Sequence, residues 1–279
     1  MKRCTRWWDA LLPSVQLITI LLTLLAASAV SGNPPVVIDN NRFAVDLYKR
    51  LITSPDDNLF VSPFSISSAM AMQFAGARGQ TETQMRDAMR FTLPQDQLHG
   101  QMGDVIRSLT SRTPVRSELD HLLRVANRVW TQTGFPYATP FLETAEDDYA
   151  AAPAQLDFVS DSEGGRQSIN QWVAQQTEQN IRELIPQGVL NRDTRLVITN
   201  AIYFLSDWAY QFDPERTSPA PFNVNANDQV QVPMMSLEEG FGYLELPHVQ
   251  IAELPYAGDG MSMVVMLPKE ADGHAHRLQ

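Results

Sequence analysis

The 279-residue chain has a single cysteine, Cys4, and no Asn-x-Ser/Thr sequon at any position. Cys4 lies in a segment with the marks of a removable leader, so the mature chain is expected to carry neither disulfide nor thiol. Its core alone must then hold it together. Cys4 also precedes the leader's apolar run, which argues against a lipoprotein anchor. Without a sequon there is no acceptor for N-glycosylation. There is no G-x-S-x-G elbow, no H-E-x-x-H, no P-loop and no glycine-rich dinucleotide turn, so the motif-bearing hydrolases, zinc proteases and nucleotide enzymes are left without support. Of the five histidines only His274 and His276 are close together, and they lack further ligands. A surface accident is the plainer reading, and no metal or cofactor is implied. The acidic pairs Asp147–Asp148 and Glu238–Glu239 are ordinary for an acidic surface. A secreted carboxylate-based hydrolase is the remote alternative, because catalytic separations cannot be read from a sequence.

Basic charge is also scarce. Lys and Arg number 21 against 32 Asp and Glu, a net charge of -11. That balance argues against nucleic acid and against anionic membrane as partners. With 44% hydrophobic and 19% charged residues, the composition is that of a packed globular protein. The length allows one large domain or two smaller ones, and no internal Pro/Gly/Ser linker argues for two.

What is present begins with residues 1–29. Lys2, Arg3 and Arg6 form a basic start, and an apolar run from Leu17 to Ala27 is broken only by Thr19 and Thr23. Ala27-Ser28-Ala29 then offers small residues for cleavage. This is the pattern of a secretory signal peptide, too short to span a membrane; an uncleaved N-terminal anchor is the alternative. Its removal takes 21 basic residues to 18 and 32 acidic ones to 31, a net charge of -13.

The most telling internal segment is Leu196 to Leu205, LVITNAIYFL. It is apolar on both alternating faces, which predicts a strand covered on two sides and not at an edge. Asn200 in its middle must belong to a hydrogen-bond network, or be a satisfied polar residue of an ordinary core strand. Further strands are expected over Val125–Thr131, Ile251–Tyr256 and Ser262–Leu267, with turns and short strands between Asp213 and Val232. Ser62-Pro63 reads as an N-cap and first helical residue, opening a helix rich in Ser and Ala that should be deeply buried and stop at Gly76 and Gly79. Capping-box spacings occur at Thr81–Gln84 and Ser160–Glu163. The second is followed by Ile169, Trp172, Val173, Ile181, Leu184 and Ile185 at helical spacing, with Pro186 and Gly188 as terminators.

Taken in order, the segments resemble the serpins, the serine-protease-inhibitor superfamily. NLFVSPFSISSAMAM (Asn58 to Met72) is similar to the strand and helix that open that fold. GARGQTETQM (Gly76 to Met85) is similar to its glycine–threonine turn, and VANRVWTQTGF (Val125 to Phe135) to its second central strand. YAAAPAQLDF (Tyr149 to Phe158), INQWVAQQTEQNIRELI (Ile169 to Ile185), VPMMS (Val232 to Ser236) and IAELPYAGDGMSMVVMLP (Ile251 to Pro268) follow in family order. LVITNAIYFL resembles the third central strand, leading to the tryptophan at Trp208.

The resemblance implies an α+β fold without separate domains, with helices packed on a central mixed β-sheet and smaller sheets, incomplete at the C-terminus. Residues 38–279 would form this partial serpin domain. It implies a protease inhibitor and not an enzyme, acting on a serine or cysteine protease by suicide insertion of a cleaved loop. Ser62, Ser65 and Asn200 match the shutter beneath the central strands, although Ser62 on its own is a helix cap. Trp208 matches the breach, where an inserting loop would first enter; on its own it is an aromatic filling a sheet end. The helix at Ile169–Ile185 would lie across the sheet and give way when the sheet opens. The reactive-centre loop, the later central strands and the shutter histidine match nothing here. Without a later strand, the inner edge of Leu196–Leu205 is expected to be an unpaired apolar ladder. A truncated, non-inhibitory serpin-like binding protein is therefore the alternative. Some serpins bind sulfated glycans through a basic helix, but the matching Gln97–Arg116 offers only Arg107, Arg112 and Arg116 around Asp104, and no glycan site is expected. The destination is secretion, extracellular or periplasmic.

Overall fold

The computed structural model describes residues 33–53, 58–110, 122–224, 227–258 and 260–270. The leader, Cys4, Arg112, Arg116, His274 and His276 lie outside them.

Four helices come first: α1 (Pro35–Leu51), α2 (Pro63–Phe74), α3 (Gly79–Met89) and α4 (Gln95–Thr110). Proline at the first turn of α1 and α2 removes an N–H that would have no partner there. The Ser62 cap forms as expected, its Oγ accepting from Ser65 N at 3.3 Å. Ser67, Ser68, Ala71, Met72 and Phe74 are buried, so α2 is the interior helix its small residues predicted. The expected box at Thr81–Gln84 does not cap α3. The helix begins two residues earlier, at Gly79, whose φ of 61° turns the chain into it, and Arg78 stands at the cap position without a side-chain bond.

Next come β1 (Leu122–Gln132), α5 (Thr139–Tyr149), β2 (Pro153–Leu156), α6 (Ser162–Gln176) and β3 (Leu196–Leu205). The cap of α6 is Asp161, not Ser160: its carboxylate accepts from Gly164 N at 2.8 Å. The helix also stops short of the expected Ile185. Glu178 and Gln179 adopt left-handed φ values of 49° and 64°. Thr177 Oγ1 donates to Val173 O at 2.8 Å and accepts from Ile181 N at 3.1 Å, diverting the chain. Ile181 and Ile185 still join Ile169 and Val173 in one apolar cluster. They do so because the loop folds back: Asn170 donates to Ile185 O and accepts from Ile185 N, both at 2.9 Å.

The central sheet has the order β2-β1-β3, parallel between β1 and β2 and antiparallel between β1 and β3. Val129, Leu196 and Ile198 pack into the core under α1–α5, with Phe74, Met72, Leu98 and Tyr149. Ala126, Trp130, Val197 and Ala201 pack against α6. The two-faced apolarity of Leu196–Leu205 thus reflects cover on both faces. Among the described residues β3 pairs with β1 alone, as expected for a chain without the later strand. Period-two burial reports the faces of a strand and is blind to its hydrogen-bonding edges.

After β3, a 3₁₀ turn (Pro214–Arg216) leads to the antiparallel pair β4 (Ser218–Asn223) and β5 (Gln229–Met234). A three-stranded antiparallel sheet follows, β6 (Gly242–Glu245), β7 (Val249–Pro255) and β8 (Ser262–Pro268). Tyr243, Leu244 and Leu267 on it are more than half exposed.

Candidate functional site

Asn127 on β1 and Asn200 on β3 are register partners, on the sheet face that packs toward α2. Asn200 Nδ2 donates to Asn127 Oδ1 at 2.6 Å, and Asn127 Nδ2 donates to Tyr149 O at 2.9 Å. Tyr149 OH lies 2.7 Å from His99 Nδ1 on α4. A polar seam therefore runs from the outermost central strand, across β1 and the end of α5, into α4. Tyr149 is fully buried and His99 nearly so. Burial is the main reason that the His99 pKa falls to about 4, with the charge of Arg78 second, so the imidazole is neutral at physiological pH. Burial also raises Tyr149 well above the usual phenol range.

The two ends of the seam are unfinished. Asn200 Oδ1 and His99 Nε2 are buried with no hydrogen-bond partner among the described residues. A buried acceptor left unmade costs about 1–3 kcal/mol. Asn200 sits on β3, which pairs with β1 alone among the described residues.

Ser62 and Ser65 are placed where α2 begins, and α2 packs on β3. Ser62 Oγ serves the cap within α2, and no hydrogen bond joins either serine to Asn200 among the described residues. Asn200 is brought to Asn127, a residue that sequence reasoning missed. The signal was available, since Asn127 is the one amide in the strand segment VANRVW. Only the register, which the sequence does not carry, sets it opposite Asn200.

Trp208 lies just past β3, half-buried and stacked on Tyr256 with centroids 4.7 Å apart at 13°. Phe204 meets Tyr256 edge-on at 4.9 Å, and Phe212 meets Trp208 at 6.0 Å. Ala209 N donates to Pro255 O at 3.0 Å and Ala257 N to Asp207 O at 2.7 Å. Trp208 thus ties the end of the central sheet to the end of β7, with Tyr256 as the partner that sequence reasoning did not single out.

Among the described residues no three His, Cys, Asp or Glu side chains could share a metal ion. Asp148 has its pKa raised, by partial burial above all, but it lies with Asp104 and Asp147 beside Arg107, which pairs with Asp104 at 2.8 Å. That is a salt-bridged surface cluster. No helix among the described residues is long and apolar enough to cross a membrane.

Comparison with known proteins gives this architecture its class. The profile of the serpin (serine protease inhibitor) family matches residues 39–279. The chain is 38% identical over 243 residues to the leukocyte elastase inhibitor of Sus scrofa, covering 86% of this chain and 63% of that protein. It is 36% identical over 231 residues to a serpin-like protein of Methanosarcina acetivorans, covering 83% of this chain and 53% of the other. The structure of ovalbumin from emu (Dromaius novaehollandiae) superposes with a TM-score of 0.81 at 26% identity, over 88% of this chain and 66% of that one. The chain belongs to the serpin family. It spans less than two thirds of the length of the curated relatives it matches.

Proposed function

We propose that this chain is the larger part of a secreted serpin that traps a serine or cysteine protease by inserting a cleaved loop into its central sheet. Residues 1–29 direct secretion, and residues 38–279 supply the partial serpin domain with its first three central strands. In the family the reactive-centre loop and the remaining central strands lie beyond the segment spanned here. The protease attacks that loop and is held as an acyl-enzyme while the loop becomes a new strand, so the inhibitor performs no catalysis and needs no cofactor.

The observation that carries this reading is the match of the serpin family profile to residues 39–279, with a fold shared with emu ovalbumin at a TM-score of 0.81. An inserted strand in the central sheet forms a ladder of backbone hydrogen bonds with its neighbours. The amide bond between Asn200 and Asn127 is one that a rearranging sheet can exchange. Ser62 and Ser65 flank this seam from the start of α2, as shutter residues. Trp208, on its stack with Tyr256, marks the sheet end where insertion begins, the breach.

The test uses the product of the whole reading frame, including any codons after 279. It is incubated with a panel of serine and cysteine proteases and resolved under denaturing conditions. A denaturant-resistant adduct, absent when the protease's nucleophile is blocked, is expected. Cleavage of the product by every protease without an adduct would instead favour a non-inhibitory binding protein.

A further inference from the structure

Arg128 sits on β1, half-buried, on the face of the central sheet covered by α6. Its guanidinium carbon is 4.9 Å from the ring centroid of Trp130 on the same strand and 5.5 Å from that of Trp172 on α6. The two indoles meet edge-on at 5.6 Å and 81°. Trp130 is held by its Nε1–H, which donates to Thr199 Oγ1 of β3 at 3.0 Å. Other arginines nearby are neutralised by carboxylates: Arg124 pairs with Glu178 at 2.6 Å, and Arg166 with Glu163 at 2.7 Å and Glu183 at 3.2 Å. No ion pair involves Arg128 among the described residues, and its Nε is buried without a hydrogen-bond partner. A guanidinium so placed is costly unless the indole faces compensate it.

We propose that Arg128 is the pin of a cation–π latch that fastens α6 to the central sheet. Three elements converge on it: β1 through Trp130, β3 through Thr199, and α6 through Trp172. The rest of the helix's hold is apolar, Ile169 and Val173 against Phe158, Ala126 and Ala201. A cation over a ring face tolerates sliding, and an arginine that loses the ring rehydrates at once. An apolar plug in the same place would meet water with no such compensation. The latch concerns the hold of α6 alone and stands or falls without reference to a protease.

The test is amide hydrogen exchange, read segment by segment on the full chain. Arg128→Met keeps the apolar stem and removes the cation; Arg128→Lys keeps the charge and loses the planar face. Exchange in α6 is expected to rise about tenfold in Arg128→Met and less in Arg128→Lys. Exchange in α1–α4 and in β6–β8 keeps its rate. An unchanged α6, or an equal rise in every segment, would overturn the latch. Should Arg128→Met not fold, Trp172→Leu gives the same readout from the helix side. In a Trp172→Leu background the Arg128→Lys change should add nothing, and an undiminished effect of that change would equally overturn it.

Discussion

Asn200 of β3 donates its side-chain amide to Asn127 of β1 across 2.6 Å, and Asn127 passes the bonding on to the backbone of Tyr149. The pair joins the outermost central strand to its neighbour by a bond that a new partner could replace, in a region otherwise packed by Ile198 and Val129.

Asn127→Ala removes both bonds at once and leaves the amide of Asn200 without its acceptor. It should lower stability by about 2–3 kcal/mol, seen as an earlier urea midpoint with an unchanged slope. Asn127→Asp should be similarly costly, because it keeps the acceptor for Asn200 but loses the donor to Tyr149 O.

Acid should act through His99. Its pKa is depressed to about 4 in the folded chain, against 6.5 for a free imidazole. The unfolded chain therefore binds a proton that the folded one refuses. The contribution is fully present above pH 6.5 and is lost as pH falls toward 4, amounting to about 3 kcal/mol in all. His99→Phe should flatten the stability profile between those limits, leaving the steeper loss from carboxylates below them. Equal slopes for the two proteins would refute the assignment.

Trp208→Ala should cost about 2 kcal/mol, since the ring is half-buried and stacked. Tyr256→Ala should cost less in that background than in the parent chain, because the stack is already gone and only its contact with Phe204 and its burial are left to lose. Additive losses, by contrast, would mean that the two rings act separately.

Asn170→Ala should release the loop that follows α6. The side chain holds Ile185 by both its N–H and its carbonyl, at 2.9 Å each. Limited proteolysis should then cut between residues 177 and 190 at lower protease concentration than in the parent chain, while cuts elsewhere keep their threshold.

The sequence carried the burial faces well. The alternation in Leu196–Leu205 and the small residues of Pro63–Phe74 both predicted what the packing shows, because burial is written in residue type. Pairing is written in geometry, and there the reading was blind. Asn127 is one amide in an apolar run until the antiparallel register sets it against Asn200. The apolar spacing of Ile181 and Ile185 predicts a helix from Ile169 on to Ile185. Their burial comes instead from a loop turned back by Glu178 and Gln179, whose left-handed backbone no periodicity reveals. The unpaired edge of β3 follows from the family resemblance and not from its own residues, since strand order is a property of the whole chain.

The most direct measurement of the central proposal is hydrogen exchange along β3, in the product of the whole reading frame, before and after its exposed loop is cut by a protease. In the whole product a later central strand lies beside β3 before cleavage, and the outward-facing amides of Leu196–Leu205 should exchange through opening of that edge. After cleavage they should exchange more slowly, because the sheet gains a strand. Exchange at β3 that is the same before and after cleavage would contradict insertion at this edge, and with it the proposed mechanism.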